Sequence, residues 1–222
     1  MRDYSDVTVI IPTLNEEKNI AELVRIIKRI CRGAYIIVSD DSSSDGTREA
    51  AIRAGASVID RTGRAKGLTA SVIDAVKESR SEYIIVIDGD LQHPPEKIGE
   101  LASCLRSADI AIGTRTKVIG KWPLHRKIMS QLATILARIR LGKNIKDPMS
   151  GFFAIRSGLI KSVLETQEGK FEKTGYKILF DILKNAPSAK TKNVPYVFGE
   201  RKLGKSKIGT KQILSFIKSL AK

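Results

Sequence analysis

The sequence predicts an α/β protein built on a mostly parallel sheet flanked by helices, and three observations carry that prediction. Strand-like runs alternate with segments of helical period over the first 113 residues, the order expected of βα units. The run that starts at Tyr83 is rich in Ile and Val, as suits a parallel strand buried on both faces. Each run also closes in polar, often acidic residues, which places them at the C-terminal edge of the sheet, where open α/β sheets bind ligands.

Val7 to Ile11 is the first strand, stopped by Pro12. Asn15-Glu16-Glu17 then opens a helix with Ile20, Leu23, Val24, Ile27 and Ile30 at helical spacing. Tyr35 to Val38 is the second strand and runs into Asp40-Asp41; Ser42 to Thr47 makes a turn and a helix cap. Ser57 to Ile59 is a short third strand ending at Asp60, and Lys66-Gly67 leads into a helix through Val72, Ile73 and Val76. The fourth strand starts at Tyr83, and Pro94-Pro95-Glu96 begins the next helix, proline being suited to a first turn. Ile110 to Ile112 is a fifth strand, ending at Gly113-Thr114-Arg115.

Beyond Arg115 the pattern changes. Thr116 to Leu124 reads as a loop with Gly120, Trp122 and Pro123. His125 to Leu141 reads as a basic amphipathic helix, with Ile128, Leu132, Ile135, Leu136 and Ile139 on one face and Arg126, Lys127, Arg138 and Arg140 away from it. A turn at Asp147 to Gly151 and a strand at Phe152 to Ile155 follow. Helices cover Gly158 to Glu165 and Gly175 to Asn185, and a last strand ends near Val197-Phe198. Gly199 to Gly209 is a Gly-rich loop bearing Arg201, Lys202, Lys205 and Lys207, a composition that can wrap a phosphate. Ile208 to Lys222 is a second amphipathic helix.

The chain of 222 residues carries a net charge of +15, unevenly spread. Residues 1–110 hold 15 basic against 18 acidic residues, a net of −3, while residues 111–222 hold 24 against 6, a net of +18. The second half is therefore expected to face something anionic. Aromatic residues make up only 5% and no RNA- or DNA-binding motif occurs, which argues against a nucleic-acid partner. Cys31 and Cys104 are expected as free thiols. Arg2, Asp3 and Asp6 at the start do not read as a signal peptide, and no run approaches the roughly 18 apolar residues of a membrane span.

The chemistry concentrates in Tyr83 to Glu96. Asp88, Asp90 and Gln92 alternate at period two, so those that stay extended project to one side. Two carboxylates and an amide oxygen suit a hard divalent cation that also binds substrate phosphate. Neither GxGxxG nor GxxxxGK[ST] is present, so a nucleotide would be held in another way. His93 and His125 read as capping or surface histidines, because no second histidine stands at ligand spacing.

Taken in order, several motifs make the chain resemble the family 2 glycosyltransferases of GT-A fold, a Rossmann-like α/β architecture, and within them the dolichol-phosphate mannose synthases. They are Pro12-Thr13-Leu14-Asn15-Glu16, Asp40 to Thr47, Asp88 to Glu96, Gly113-Thr114-Arg115, Asp147 to Phe152, and Arg201 with Gly204-Lys205-Ser206-Lys207. The match runs from about Val7 to Gly209. Two positions depart from the family pattern, Leu14 where tyrosine is usual and Ser42 where glycine is usual. The resemblance implies a single domain over residues 1–222, with a nucleotide-sugar half to residue 113 and a basic, acceptor- and membrane-facing half from residue 114. It implies GDP-mannose as donor and dolichyl or another polyprenyl phosphate as acceptor.

Residue by residue, the resemblance places Pro12, Glu16, Asp40 and Asp41 around base and ribose. Asp88, Asp90 and Gln92 would hold Mg²⁺ or Mn²⁺, Arg201 and Lys207 would meet the diphosphate, and Arg115, Arg126 and Ser130 would receive the acceptor phosphate. Arg126 and Ser130 fall one helical turn apart. A polyprenyl phosphate sits in a bilayer, so a peripheral enzyme on the cytoplasmic, anionic face is expected, with room for a membrane-anchoring partner subunit. A UDP-glucose-dependent polyprenyl-phosphate transferase of the same fold is the alternative. A sugar nucleotidyltransferase would need a Gly-rich basic loop after the first strand, and Pro12-Thr13-Leu14-Asn15 is not one.

Overall fold

The computed structural model describes residues 3–120, 124–201, 203 and 210–221, with the side chains of 124–128, 210–213 and 221 outside the description. Seven strands form one sheet: β1 (Val7–Thr13), β2 (Tyr35–Asp40), β3 (Ser57–Asp60), β4 (Tyr83–Val86), β5 (Ile110–Val118), β6 (Phe153–Arg156) and β7 (Thr191–Phe198). Their order is β3-β2-β1-β4-β6-β5-β7. Only β6 runs against its neighbours β4 and β5, so the sheet is mostly parallel, as expected. The chain steps outward from β1 to β3 and returns on the other side at β4. That reversal opens a crevice between the C-terminal ends of β1 and β4.

Both faces are covered. Helices α1 (Glu17–Ile30), α2 (Thr47–Ala54) and α4 (Ile98–Cys104) bury one face; α3 (Leu68–Glu78), α6 (Ser157–Gln167) and α7 (Ile178–Asn185) bury the other. Along β1, Val7, Val9 and Ile11 enter the first core while Ile10 enters the second, and Thr8, also buried, bonds Ser81 Oγ at 2.7 Å. Helices α5 (Leu124–Leu141) and α8 (Thr210–Ala221) close a third, smaller cluster, in which Ala137 and Phe216 meet Phe180 and Met149.

Several boundaries differ from the sequence reading. Strand β1 continues through Pro12 to Thr13. Ile10 O accepts from Ile87 N at 3.1 Å, so the same edge at Pro12 lies past the end of β4, where a missing N–H forfeits no ladder bond. Strand β5 does not end at Ile112: it pairs with β7 as far as Val118, with a bulge between Arg115 and Lys117. Its polar half reads as a loop in sequence but is held by β7, whose own alternation of exposed and buried residues supplies the partner. Helix α7 starts at Ile178, leaving Gly175 to Lys177 as a loop against the site.

Candidate active site

A cavity of about 290 Å³ opens at the C-terminal edge of the sheet. Pro12, Glu16, Asp41 and Gly67 line one wall, Asp88 and Asp90 the floor, and Arg115, Lys177 and Tyr196 the opposite wall. The two halves of the chain meet across it.

On the first wall, the adjacent acids Asp40 and Asp41 divide their work. Asp40 is fully buried and accepts from Thr13 Oγ1 at 2.9 Å, Ser43 N at 2.8 Å and Ser43 Oγ at 2.5 Å, tying the ends of β1 and β2 together. It is not among the residues lining the cavity, whereas its neighbour Asp41 is. Asp41 accepts from Gly67 N at 2.8 Å and pairs with Arg61. Arg61, 2% exposed, also bonds Asp74 Oδ2 at 2.9 Å and Ala65 O at 2.6 Å, bracing the loop before α3. Gly67 has φ 148°, and a Cβ there would lie 2.3 Å from Lys173 O; only glycine fits. Ser42 holds φ 67°, the left-handed conformation for which the glycine usual at this position is better suited. Asp60 stands on the same edge as expected, opposite Asp40 in the pairing of β2 with β3, but it is exposed and bonds Arg48 and Thr62.

The floor is a turn. Strand β4 ends at Val86 and Leu91 takes φ 61°, so Asp88 and Asp90 reach the cavity through a turn and not through the pleat of an extended strand. Gln92 N caps Asp90 Oδ1 at 3.1 Å, and the Gln92 side chain donates to Gly199 O at 2.9 Å while Gly199 N donates to Gln92 O at 2.8 Å. This two-way tie fixes the end of β7 beside the turn. Two residues on, Arg201 pairs with Asp90 and approaches Glu16 Oε1 at 3.4 Å.

His93 is not the surface or capping residue its sequence suggests. It is 2% exposed, its Nε2 lies 3.0 Å from Asp88 Oδ2, and its ring is enclosed by Phe152, Tyr196 and Phe198 at centroid distances of 5.2–5.4 Å. The sequence hid this role because the three rings come from distant β-strand regions. Gly151 backs onto the same carboxylate: a Cβ there would fall 2.7 Å from Asp88 Oδ2.

These surroundings separate the two acids. Burial alone would raise Asp88, yet the hydrogen bond and field of His93, with Lys177 and Arg201 behind it, hold it below the usual carboxylate range. Asp90 is pushed up, first by burial and then by the charge of Asp88. A buried carboxyl that resists ionising, beside a second that is ionised, forms a donor set that a divalent cation would relieve, with Gln92 adding a neutral oxygen. The residues present therefore fit Mg²⁺ or Mn²⁺, with His93 as the hydrogen-bond partner that would orient Asp88 as a ligand.

On the far wall, Arg115 donates from Nε to Asp147 Oδ2 at 2.7 Å and from Nη2 to Asp147 Oδ1 at 3.0 Å, while its guanidinium lies 5.8 Å from the Phe198 ring. Burial opposes its charge, but Asp147 outweighs that and raises its pKa. Ser130 is half-buried on α5, its carbonyl accepts from Thr134 Oγ1 at 2.9 Å, and it does not line the cavity. The Arg126 side chain and all of Lys207 lie outside the described residues, as does Trp122. Both Lys177 and Tyr196 line the cavity and were not singled out from sequence, Lys177 being one basic residue among many and Tyr196 one apolar position of a strand.

A sheet of this order, with paired acids at the central crevice, defines the GT-A class of glycosyltransferases. Residues 8–164 match the family described as Glycosyl transferase family 2, and the chain belongs to that family. Among curated relatives, the dolichol-phosphate mannosyltransferase of Pyrococcus furiosus is 40% identical over 96% of this chain, which spans 62% of that relative's length. The Saccharomyces cerevisiae protein of the same name is 31% identical over 96% of this chain and 85% of its own. The undecaprenyl-phosphate mannosyltransferase of Micrococcus luteus is 32% identical over 91% of this chain and 87% of its own. In structure, a mycobacterial protein superimposes with a TM-score of 0.75 at 22% identity, covering 96% of this chain and 73% of that one. A Mycobacterium tuberculosis glucosyl-3-phosphoglycerate synthase, solved with Mn²⁺, UDP-glucose and glycerol 3-phosphate, gives 0.70 at 22% identity over 97% and 79%. At these identities the structures speak for the fold alone.

Proposed function

We propose that this chain transfers mannose from GDP-mannose to the phosphate of a polyprenyl lipid, inverting the sugar carbon. The observation that carries the reading is that Asp88, Asp90, Arg115 and Arg201 line one cavity, so that a metal and two anionic substrates can meet there. The names of the curated relatives point to the same donor sugar and acceptor class.

Transfer passes through an oxocarbenium-like state in which charge grows on the departing diphosphate. A divalent cation held by Asp88, Asp90 and Gln92 would neutralise part of that charge. Arg201 would supply the rest, exchanging Asp90 for the diphosphate, with Lys207 expected to join it. Pro12, Glu16 and Asp41 form the wall for base and ribose, with Asp41 fixed by Arg61 and Gly67. On the opposite side Arg115, held flat by Asp147, positions the acceptor phosphate for in-line attack, and Arg126 and Ser130 are expected to approach from α5. That phosphate, with a second pKa of about 6, is already largely dianionic at neutral pH, so no side chain is needed as general base. His93 agrees with this: its Nε2 is engaged by Asp88 and its ring is enclosed by aromatics.

The lipid is reached from the membrane. Met129, Leu132, Leu136 and Ile139 leave between 45% and 73% of their surface exposed along α5, and Leu214 and Ile217 do so on α8. An apolar stripe beside a half-chain of net +18 is suited to an anionic leaflet, where each basic residue near the surface contributes about 1 kcal/mol. We place the stripe on the cytoplasmic, anionic side of the bilayer. No helix among the described residues is long and apolar enough to cross it.

The test is transfer of radiolabelled sugar from GDP-mannose, GDP-glucose and UDP-glucose to dolichyl phosphate in detergent, with Mg²⁺, Mn²⁺ or EDTA, for wild type and Asp90→Ala. Metal-dependent mannolipid, absent in the variant, supports the reading. Reaction with UDP-glucose alone replaces it with the glucosyl alternative.

A further inference from the structure

Three hydrogen-bond donors on the far wall belong to one arrangement. Arg115 and Tyr196 are direct cross-strand partners in the parallel pairing of β5 with β7, and both line the cavity. The hydroxyl of Tyr196 is buried, with Ser150 as a polar side-chain neighbour, and makes no hydrogen bond of good geometry among the described residues. A buried donor left unpaired is uncommon enough to need a reason. Lys177, in the loop before α7, lines the same cavity, donates to Met149 O at 3.0 Å and lies 4.5 Å from the Tyr176 ring. The turn at residues 147–151 supports the two cations: Asp147 grips Arg115, and Met149 O grips Lys177.

We propose that Arg115, Lys177 and Tyr196 together cradle a phosphate monoester, with Tyr196 as a neutral donor and Lys177 as the second cation. The proposal rests on the lipid-phosphate reading above and adds two residues to it. The Nε and Nη2 atoms of Arg115 are taken by Asp147, and no bond to Nη1 occurs among the described residues, which leaves that corner for an anion. An ammonium has three protons, so Lys177 keeps Met149 O while meeting a second acceptor. Burial raises the phenol of Tyr196, so it remains an O–H donor at neutral pH. A phosphate monoester offers three terminal oxygens to these donors, whereas either phosphate of a nucleoside diphosphate sugar offers two. Chemistry thus assigns the cradle to the acceptor and leaves the donor to the carboxylate floor and Arg201.

The test is calorimetric binding of a short-chain polyprenyl phosphate to wild type, Tyr196→Phe and Lys177→Gln in the presence of GDP and Mg²⁺, with GDP binding measured in parallel. Removal of one donor to a charged group should weaken acceptor binding about tenfold in each variant, with GDP affinity unchanged in Tyr196→Phe, whereas Lys177 also acts on Asp88 and its loss should lower GDP affinity by less than it lowers acceptor affinity. In turnover with GDP-mannose, the acceptor KM should rise in both variants while the donor KM stays put in Tyr196→Phe. Tyr196→Phe removes a single unpaired oxygen, so its melting temperature should equal or exceed that of wild type; a structural hydroxyl would lower it. Equal acceptor binding in wild type and both variants overturns the cradle alone. Loss of GDP affinity in place of acceptor affinity reassigns these groups to the donor and overturns it as well. Acceptor binding without mannosyl transfer overturns the donor assignment and leaves the cradle standing, and no binding to wild type overturns both.

Discussion

Arg201 pairs with Asp90 across 111 residues of sequence, so the cation expected to serve the diphosphate rests on the carboxylate expected to hold the metal. The tie between Gln92 and Gly199 brings the two together, and Glu16 shares the guanidinium at 3.4 Å. A divalent cation at this carboxylate would therefore compete with Arg201 for one oxygen when no nucleotide is present. Arg201→Met should bind Mn²⁺ about tenfold more tightly than wild type without nucleotide, as judged by electron paramagnetic resonance, because a charge-assisted bond no longer opposes it. The same variant should bind GDP more weakly. Unchanged Mn²⁺ affinity would show that the pair does not guard the site.

His93 acts on Asp88 and is expected to touch no substrate. His93→Phe preserves the aromatic enclosure and removes the bond to Asp88 Oδ2. Loss of such an outer partner typically lowers metal affinity or activity by about 10–100-fold. Mn²⁺ affinity in the presence of GDP should fall within that range while thermal stability changes little, and His93→Gln, which can reach the carboxylate with its amide N–H, should recover part of the affinity.

The exposed stripe on α5 gives a prediction independent of chemistry at the site. Leu132→Glu with Ile139→Glu places two carboxylates on a face whose side chains are 50% and 73% exposed, so folding should be indifferent. Sedimentation with vesicles containing anionic lipid should lose most of the bound protein, while transfer to a short-chain acceptor in detergent persists. Full vesicle binding by the double variant would move the membrane face elsewhere.

Asp74 supplies a pH dependence of stability. Burial alone would raise it, but hydrogen bonds from Arg61 at 2.9 Å and Arg64 at 3.0 Å, with their charges, hold it below the usual value. A carboxyl depressed on folding contributes stability that is present above its unfolded pKa of about 3.9 and is lost as pH falls through its folded value. The group is partly exposed, so after solvent screening the contribution is below about 1 kcal/mol. Urea midpoints of wild type and Asp74→Asn should differ at pH 7 and converge toward pH 3; a gap that widens on acidification contradicts the assignment.

How far the sequence could be read depended on the range of the interaction. Strands β1 to β4 and their helices were legible because Val9 and Ile10 already show, in adjacent positions, that both faces are buried. Asp88, Asp90 and Asp41 were legible because strand ends collect at one edge. Asp40, expected beside base and ribose, does not line the cavity, since which of two adjacent acids turns inward is decided by Thr13 and Ser43 across the loop. His93, Arg61, Tyr196 and Lys177 were missed for one reason: each takes its meaning from partners distant in sequence that only folding supplies, the aromatic rings around His93, Asp41 for Arg61, Arg115 for Tyr196 and Met149 for Lys177.

A charged anchor fastens α8 to α7. Asp181, 1% exposed, accepts from Glu172 N at 3.1 Å and from Ser219 on α8, while Lys184 meets Asp181 Oδ1 at 3.2 Å and Ser219 O at 2.7 Å. Phe216 stacks edge-on against Phe180 at 5.7 Å beside it. Lys184→Met removes the cation and leaves a buried carboxylate uncompensated, a change that typically costs about 3–5 kcal/mol. Replacing both members, Lys184→Met with Asp181→Leu, should recover much of that loss, because an apolar pair of similar volume removes the buried charge as well as its partner. Urea unfolding of the two singles and the double measures the coupling. A double variant no more stable than Lys184→Met alone would mean that the bonds from Asp181 to Ser219 and Glu172, and not its charge pair with Lys184, hold the helix in place.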